Sequence, residues 1–308
     1  MSIRRQAPAD DLASLVNKTF NAYRCTPLYN FRHDQRALNK YAIQLARALC
    51  NGLRLKTTDP DNLPPDTTTP TGSRASDIKG QLHDLSLEPL PVREWDYYDH
   101  PAIEISISLT VNKTARSESI YLIPSQSSDI GHESFCSYPL FLFKASPYVV
   151  SEVVAWFQKA FDCTALPLHI PGTKLESMVE WWCSHLFDMP ASESQRVQMA
   201  HTQTYRYQKL GLVFTVPQIQ TISDICIDIR TEDLMNVYGI VRASKLTMME
   251  AIHEHIYNTM RLKLSSLVLI RIGLPVVFVT HEGKLKFIPN SPREHVLKVL
   301  EDLCSLAS

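Results

Sequence analysis

Apolar residues recur along this chain with two periods, and each period predicts a different kind of element. Apolar positions three or four residues apart predict amphipathic helices. Helices are predicted over 34–49, 148–161, 173–187, 231–240, 245–262 and 292–306. Alternation with period two, as in the segment IEISISLTV, predicts half-buried strands. Strands are predicted over 103–111, 119–123, 138–143, 164–170, 205–216, 222–230, 266–280 and 284–288.

Residues at the ends of these segments support several of the boundaries. Asp34 is a plausible N-cap for the first long helix, and Gly52 lies where a helix stop belongs. Asn112-Lys113 and Glu282-Gly283 are turn pairs, each between two predicted strands. Both pairs therefore predict hairpins between antiparallel neighbours.

Groups of strands separated by single helices predict an α+β fold, with mixed or antiparallel sheets flanked by helices. Residues 1–56 form a predicted N-terminal helical segment. Residues 57–80, with four Pro, six Thr and four Asp, predict a polar loop. A strand-rich part at 81–145 completes the N-terminal domain. Residues 146–308 are predicted to form a C-terminal α+β domain, packed together with the first.

The composition excludes several classes of protein. With 308 residues, 44% of them hydrophobic and 20% charged, the chain has the balance of a globular protein of about two domains. Nine Gly against nineteen Pro disfavour Gly-rich phosphate loops. The seven Cys contain no Cys-x-x-Cys pair, which disfavours a zinc ribbon. The most apolar stretch, 267–279, is too short to span a bilayer, so no membrane association is expected.

Charge is distributed unevenly, although the net charge is only −1. The balance is +7 over residues 1–56, −11 over 57–241 and +5 over 242–298. Two basic ends are compatible with one electropositive surface for nucleic acid, and equally with ordinary solvated helix faces. The basic and aromatic residues interleaved over 20–41 suit phosphate contact and base stacking, or the rim of a core.

Candidate catalytic groups lack the geometry that catalysis requires. On a helix, His253 and His255 point in different directions and cannot share one metal ion. Cys163 follows a helix C-terminus, where the helix dipole raises a thiol pKa. Asp224 and Asp228 fit the polar face of a strand as well as a carboxylate pair. We therefore expect no enzymatic activity, no cofactor and no metal, and a hydrolase is a remote alternative.

Three segments together resemble the centromere protein L family. LVNKTFNAYRCTPLYNF at 15–31 is similar to the family's N-terminal signature, in which Thr/Ser-Pro-Leu-Tyr precedes an aromatic residue. AWFQKAFDCTALPLHI at 155–170 resembles its central Trp-Phe-Gln-x-x-Phe-Asp-Cys segment. Residues 266–288 resemble its late pattern of an apolar strand followed by His, Gly-Lys and a further Lys. The loop at 57–80 does not match.

The resemblance implies a non-enzymatic subunit of the constitutive centromere-associated network, in the nucleus, at the centromere and kinetochore. It implies pairing with centromere protein N through a C-terminal sheet, and engagement of the centromeric nucleosome, its DNA and centromere protein C. Such a role serves kinetochore assembly and chromosome segregation in mitosis. A stand-alone nucleic-acid-binding α+β protein is the alternative, which the net charge of −1 disfavours.

Two sets of residues follow as candidates for these contacts. The apolar hairpin near the C-terminus is either a central strand pair or an edge covered by a partner. For partner docking we select Leu267, Leu269, Ile272, Val277 and Val279. For DNA contact we select Arg24, Arg32, Arg36, Arg261, Lys263, Lys284 and Lys286.

Overall fold

The chain folds into two compact units that combine helices with antiparallel sheet, which confirms the predicted α+β class. The computed structural model describes residues 11–57, 80–90, 92, 100–125, 134–188, 209–216, 224–244, 246–289 and 291–308. The first unit takes the described parts of Met1–Ser14, Phe20–Pro167 and Leu300–Ser308, and the second takes Leu15–Thr19 and Leu168–Val299. Nearly all of the loop predicted at 57–80 lies outside the described residues.

The first unit is built on a sheet with the strand order β1-β8-β6-β5-β4-β3, and β9 also pairs with β1. All neighbours are antiparallel except β3 and β4. Its strands are β1 (Thr19–Cys25), β2 (Leu28–Tyr29), β3 (Lys56–Thr57), β4 (Gly80–Leu90), β5 (Ala102–Val111), β6 (Thr114–Ile123), β7 (Phe135–Cys136), β8 (Leu140–Lys144) and β9 (Ala165–Pro167). Its helices are α1 (Gln35–Leu53) and α2 (Pro147–Phe161), with a short 3-10 helix at Asp11–Ser14. Strands β2 and β7 form a separate two-stranded sheet.

The second unit has a sheet with the order β11-β10-β12-β13-β14, in which all neighbours are antiparallel. Its strands are β10 (Lys209–Thr215), β11 (Asp224–Arg230), β12 (Val268–Gly273), β13 (Val277–Thr280) and β14 (Lys284–Phe287). Its helices are α3 (Gly172–Asp188), α4 (Thr231–Ala243) and α5 (Met248–Met260), with a 3-10 helix at Leu264–Ser266. The last helix, α6 (Arg293–Ala307), begins in this unit, and its residues from Leu300 belong to the first. No helix in the described ranges is long and apolar enough to cross a membrane.

Helix α1 begins as its sequence predicts and ends slightly later. The Asp34 side chain accepts a hydrogen bond from the backbone N–H of Ala37 at 3.0 Å, which satisfies one of the N–H groups left open at a helix start. The helix continues past Gly52 and ends at Leu53, and the next residue, Arg54, caps it in the left-handed conformation. Its buried side chains form one stripe against the core of the first unit: Leu38, Tyr41, Leu45, Leu49, Cys50 and Leu53.

The predicted strand over 266–280 is wrong in one respect, because the structure divides it into β12 and β13. A turn separates them, in which the N–H of Leu274 donates to the carbonyl of Val277 at 2.9 Å. Pro275 lies within this turn and has no N–H to give to a sheet, so the apolar run cannot continue as one strand. The next turn is as predicted, with Gly283 at a φ of 77° between β13 and β14.

The two compact units divide the chain after β9, near residue 167, whereas the sequence placed a domain boundary at residue 146. Helix α2 lies in the first unit because Val149, Val153 and Phe157 are buried in the same apolar core as α1.

Candidate partner and nucleic-acid interfaces

The residues selected for partner docking lie inside the second unit. The exposed fractions of Leu269, Ile272, Val277 and Val279 are 2%, 0%, 0% and 0%, and Leu267 is half-buried. As the chain is folded here, these side chains stabilise the C-terminal sheet. A partner that docks on this sheet would meet other residues first.

Strand β12 is central in the sheet, which explains why its side chains are buried. It pairs with β10 on one side, where Leu212 lies opposite Ile272, and with β13 on the other, where Val279 lies opposite Ile272. Both of its edges are therefore used by the chain's own hydrogen bonds. An added strand needs an edge with open N–H and C=O groups, and a central strand has none.

Within the described ranges, β11 is the last strand at one end of the C-terminal sheet. Among the described residues, β10 is the only strand that pairs with β11. Ile225, Ile227 and Ile229 are half-buried on one face of the strand, and the alternate residues are exposed on the other. The sequence predicted this alternation correctly, but it gave no sign that the strand lies at an edge.

One row of paired residues crosses the outer face of the C-terminal sheet and ends in opposite charges. Its members, in order from β11 to β14, are Asp228, Gly211, Gly273, Phe278 and Lys286. The ring of Phe278 lies on the backbone of Gly273, because a Cβ built there would be 2.6 Å from the ring. Phe278 is nevertheless 47% exposed, so the row presents an aromatic ring between Lys286 and Asp228, which forms an ion pair with Lys209.

More large apolar side chains are exposed in the second unit than in the first, among the residues described. In the second unit they are Met235, Ile240, Leu246, Tyr257, Met260, Val268 and Phe278, and in the first Tyr29, Ile43, Phe135 and Leu166. Single exposed apolar side chains are ordinary at a protein surface, and only a contiguous group of them marks an interaction site.

The basic residues selected in the first unit lie at its surface, and α1 adds to their charge. Arg24 on β1, Arg32 before α1 and Arg36 in its first turn are all exposed. Helix α1 contains no Asp or Glu over its 19 residues, and Lys40 is exposed one turn after Arg36. The carboxylate of Asp34 is engaged as the N-cap at the start of the helix. That of Glu152 lies against Gly52, near the other end of the helix. The helix itself therefore contributes positive charge and no negative side chain.

Most of the aromatic residues near these cations belong to the core. Phe20, Phe31 and Tyr41 are 0%, 3% and 9% exposed, so they cannot stack on a base. Tyr29 is 44% exposed and lies 5.4 Å from the ring of Phe135. The aromatic pattern in this part of the sequence thus mainly describes packing.

In the second unit, the four selected basic residues have different surroundings. Lys284 forms an exposed ion pair with Glu282 at 2.9 Å, which cancels much of its charge. Arg261 ends α5 in the left-handed conformation, and its guanidinium lies 5.8 Å from the Tyr257 ring centre. Lys263 is exposed and Lys286 half-buried. Of the four, Arg261 and Lys263 are thus the better placed for an anionic ligand.

The side chains considered for catalysis occupy structural positions. His253 packs on Phe214 with ring centres 6.1 Å apart, while His255 is exposed, so the two do not converge. Cys163 is 6% exposed and follows α2. Asp228 forms an exposed ion pair with Lys209.

Two clusters of histidines went unnoticed in the sequence because their members are far apart along it. His33, His100 and Cys136 meet in the first unit, with their ligand atoms all within 4.8 Å of one another. His185 and His295 meet in the second, with ring centres 4.8 Å apart. No spacing rule links such residues, since only the fold brings them together.

Comparison with known proteins identifies the family. The family model described as Centromere protein L matches residues 14–308. Centromere protein L of Gallus gallus is 23% identical over 97% of this chain and 82% of its own length. That of Xenopus tropicalis is 23% identical over 96% of this chain and 80% of its length. That of Bos taurus is 24% identical over 96% of this chain and 80% of its own length.

These matches run along the chain and include both compact units. Relatives of this name are proteins of the nucleus, the centromere and the kinetochore. Because the family model covers far more than half of the sequence, the chain belongs to the centromere protein L family.

Proposed function

We propose that this chain is a non-enzymatic subunit of the inner kinetochore that pairs with centromere protein N. In this proposal the pair engages the centromeric nucleosome and its DNA, together with centromere protein C and other subunits of the constitutive centromere-associated network. Kinetochore assembly and chromosome segregation depend on that engagement. The observation that carries the proposal is the family match over residues 14–308.

The C-terminal sheet is the proposed docking element for centromere protein N. Support comes from the edge of β11 and from the exposed apolar residues of the same unit, including Phe278. A strand of the partner that pairs with β11 gains main-chain hydrogen bonds, and apolar contacts on the sheet add specificity. In this proposal the role of four buried residues is to stabilise the sheet by packing in its core: Leu269, Ile272, Val277 and Val279.

A matched pair of substitutions tests whether the second unit docks the partner. Phe278 and Ile43 are both 47% exposed, and they lie in different units. Phe278→Asp is expected to reduce co-purification with centromere protein N at least tenfold, because a carboxylate replaces an apolar contact. Ile43→Asp is expected to leave it unchanged. Equal retention of the partner by both variants would refute docking through the outer face of this sheet.

The basic residues are the proposed contribution to DNA binding. Arg24, Arg32 and Arg36 support this role because all three are exposed, and helix α1, which contains Arg36, has no Asp or Glu. Arg261 and Lys263 are exposed near the end of α5, and Lys284 and Lys286 lie on β14. Lys284 is expected to contribute least, since Glu282 already neutralises it.

The alternative function is DNA binding by the chain alone. The net charge of −1 disfavours it, because proteins that bind DNA without a partner are usually strongly basic. A comparison of DNA affinity for the chain alone and for its complex with centromere protein N separates the two. Equal affinity would favour the stand-alone function.

A further inference from the structure

His33, His100 and Cys136 form the first histidine cluster. They are brought together by the two-stranded sheet and by the segment just before β5. Strand β7 places Cys136 opposite Leu28 of β2, and His33 follows β2 by four residues. The N–H of Asn30 donates to the carbonyl of Ser134 at 2.7 Å, which holds the two segments together. The Cys136 thiol donates to the carbonyl of Phe31 at 3.0 Å, and so lies beside the backbone that leads to His33.

His100 is held on the other side of the cluster. Its ring stacks on Tyr138, with ring centres 6.1 Å apart and an interplanar angle of 28°. The Tyr138 hydroxyl donates to the carbonyl of Pro101 at 2.8 Å, which fixes the backbone next to His100. The rings of His33 and His100 are then 5.2 Å apart. Each of the three side chains is therefore positioned by contacts outside the cluster.

The spacing of the donor atoms is close to what a metal ion requires. A tetrahedral zinc site, with Zn–N of about 2.0–2.1 Å and Zn–S of about 2.3 Å, separates neighbouring donor atoms by roughly 3.3–3.8 Å. The imidazole nitrogens and the Sγ of this cluster are all within 4.8 Å of one another. Because His33 is exposed, its ring can rotate towards the other two donor atoms without moving the core.

We propose that His33, His100 and Cys136 form a metal site that binds Zn²⁺. Two imidazoles and one thiolate suit a borderline-soft ion such as Zn²⁺, whereas Mg²⁺ and Ca²⁺ prefer oxygen donors. On binding, the Cys136 thiol releases its proton to solvent, its hydrogen bond to Phe31 breaks and an Sγ–Zn bond forms. Water occupies the fourth position of the tetrahedron.

The arrangement fits a metal site better than a reactive cysteine. The Cys136 thiol is 7% exposed and donates its hydrogen to a carbonyl, so it faces the backbone and not a cleft. A metal site needs a route for the ion, and the exposed side of His33 provides it.

Zinc binding would tie together three distant parts of the first unit. The loop before α1, the start of β5 and strand β7 would share one ion. Because the unfolded chain does not hold these residues together, Zn²⁺ binds the folded form preferentially and raises its melting temperature. The proposed role of the site is thus to stabilise the folded first unit.

Metal titration of the full chain, after removal of metal by a chelator, tests the site. Co²⁺ is the spectroscopic probe. Its visible absorption is expected to saturate at one equivalent of Co²⁺ and to include a thiolate charge-transfer band. Added Zn²⁺ is expected to abolish this band. His33→Gln should weaken Zn²⁺ affinity at least about tenfold, since loss of even an outer-shell partner can cost that much. Cys136→Ser should remove the charge-transfer band.

The chain offers two matched controls. Cys50 has the same 7% exposure as Cys136 and also lies in the first unit, and His83 is exposed like His33. Cys50→Ser and His83→Gln should bind Co²⁺ and Zn²⁺ as the parent chain does. A Co²⁺ spectrum without a thiolate band, or a Zn²⁺ affinity that His33→Gln leaves unchanged, would overturn the proposal. Folding of His33→Gln is not in question, because this side chain is exposed.

Discussion

At the scale of single residues, His295 combines burial with a titratable ring. It is 7% exposed in α6 and packs against Trp181 and His185 of α3, with ring centres 5.7 and 4.8 Å away. Burial, together with the neighbouring His185, lowers the pKa of His295 to about 4 from the ordinary 6.5, against a small opposite effect of Glu294. The folded chain therefore keeps this ring neutral at pH values where the unfolded chain protonates it.

This difference predicts that stability depends on pH. Because the folded pKa of His295 lies below the unfolded value, its contribution is complete above about pH 6.5 and is lost as the pH falls towards about 4. The melting temperature should fall over this interval, and His295→Leu should flatten the decline. His169→Gln is the control, since His169 is exposed in the same unit. A decline as steep in His295→Leu as in the parent chain would show that other groups cause it.

At the scale of elements, partner docking at the edge of β11 can be tested through the main-chain N–H groups of the strand, independently of its side chains. Successive N–H groups of a strand point to opposite edges, so one of Cys226 and Ile227 directs its N–H towards β10 and the other directs it outward. Proline removes that N–H. One of Cys226→Pro and Ile227→Pro should therefore destabilise the sheet, by about 1 kcal/mol or more.

The other proline variant should keep the melting temperature of the parent chain within a few degrees and lose binding to centromere protein N. Thermal melts identify which variant is which, and co-purification then measures binding. If the stable variant still binds the partner as the parent does, β11 is not the docking edge.

Periodicity predicted the type of most elements, but not their neighbours in the sheet. The alternation at 103–111 became β5, which has one buried face, and that at 222–230 became β11, which has one half-buried face. A continuous apolar run such as 266–280 shows only that a segment is buried. Whether it lies at the centre or the edge depends on strands far away in sequence, which is why Ile272 and Val279 were selected as contacts although they are buried.

The metal cluster was missed for the same physical reason. His33, His100 and Cys136 are too far apart in the sequence to form a spacing motif. They converge only in the folded unit, where β2 pairs with β7 and His100 stacks on Tyr138. Residues that a strand pairing brings together leave no local signal. By contrast, the N-cap at Asp34 depends on adjacent residues and was predicted correctly.

At the scale of the whole molecule, the charge distribution leads to a test of the proposed DNA binding by the complex with centromere protein N. Each phosphate contact contributes about 0.9 to the slope of log affinity against log salt concentration. The triple variant Arg24→Gln, Arg32→Gln and Arg36→Gln should lower the slope by about 0.9 for every contact it removes. Lys209→Gln is the control, because Asp228 already neutralises Lys209. An unchanged slope in the triple variant would show that this surface is only solvated.

The central claim is that this member of the centromere protein L family pairs with centromere protein N. The most direct test is size-exclusion chromatography with light scattering, on the chain alone and after co-expression with centromere protein N from the same source. The account predicts one species whose mass equals the 35.0 kDa of this chain plus one copy of the partner. Two separate peaks, with this chain eluting at its own mass in the presence of the partner, would contradict it.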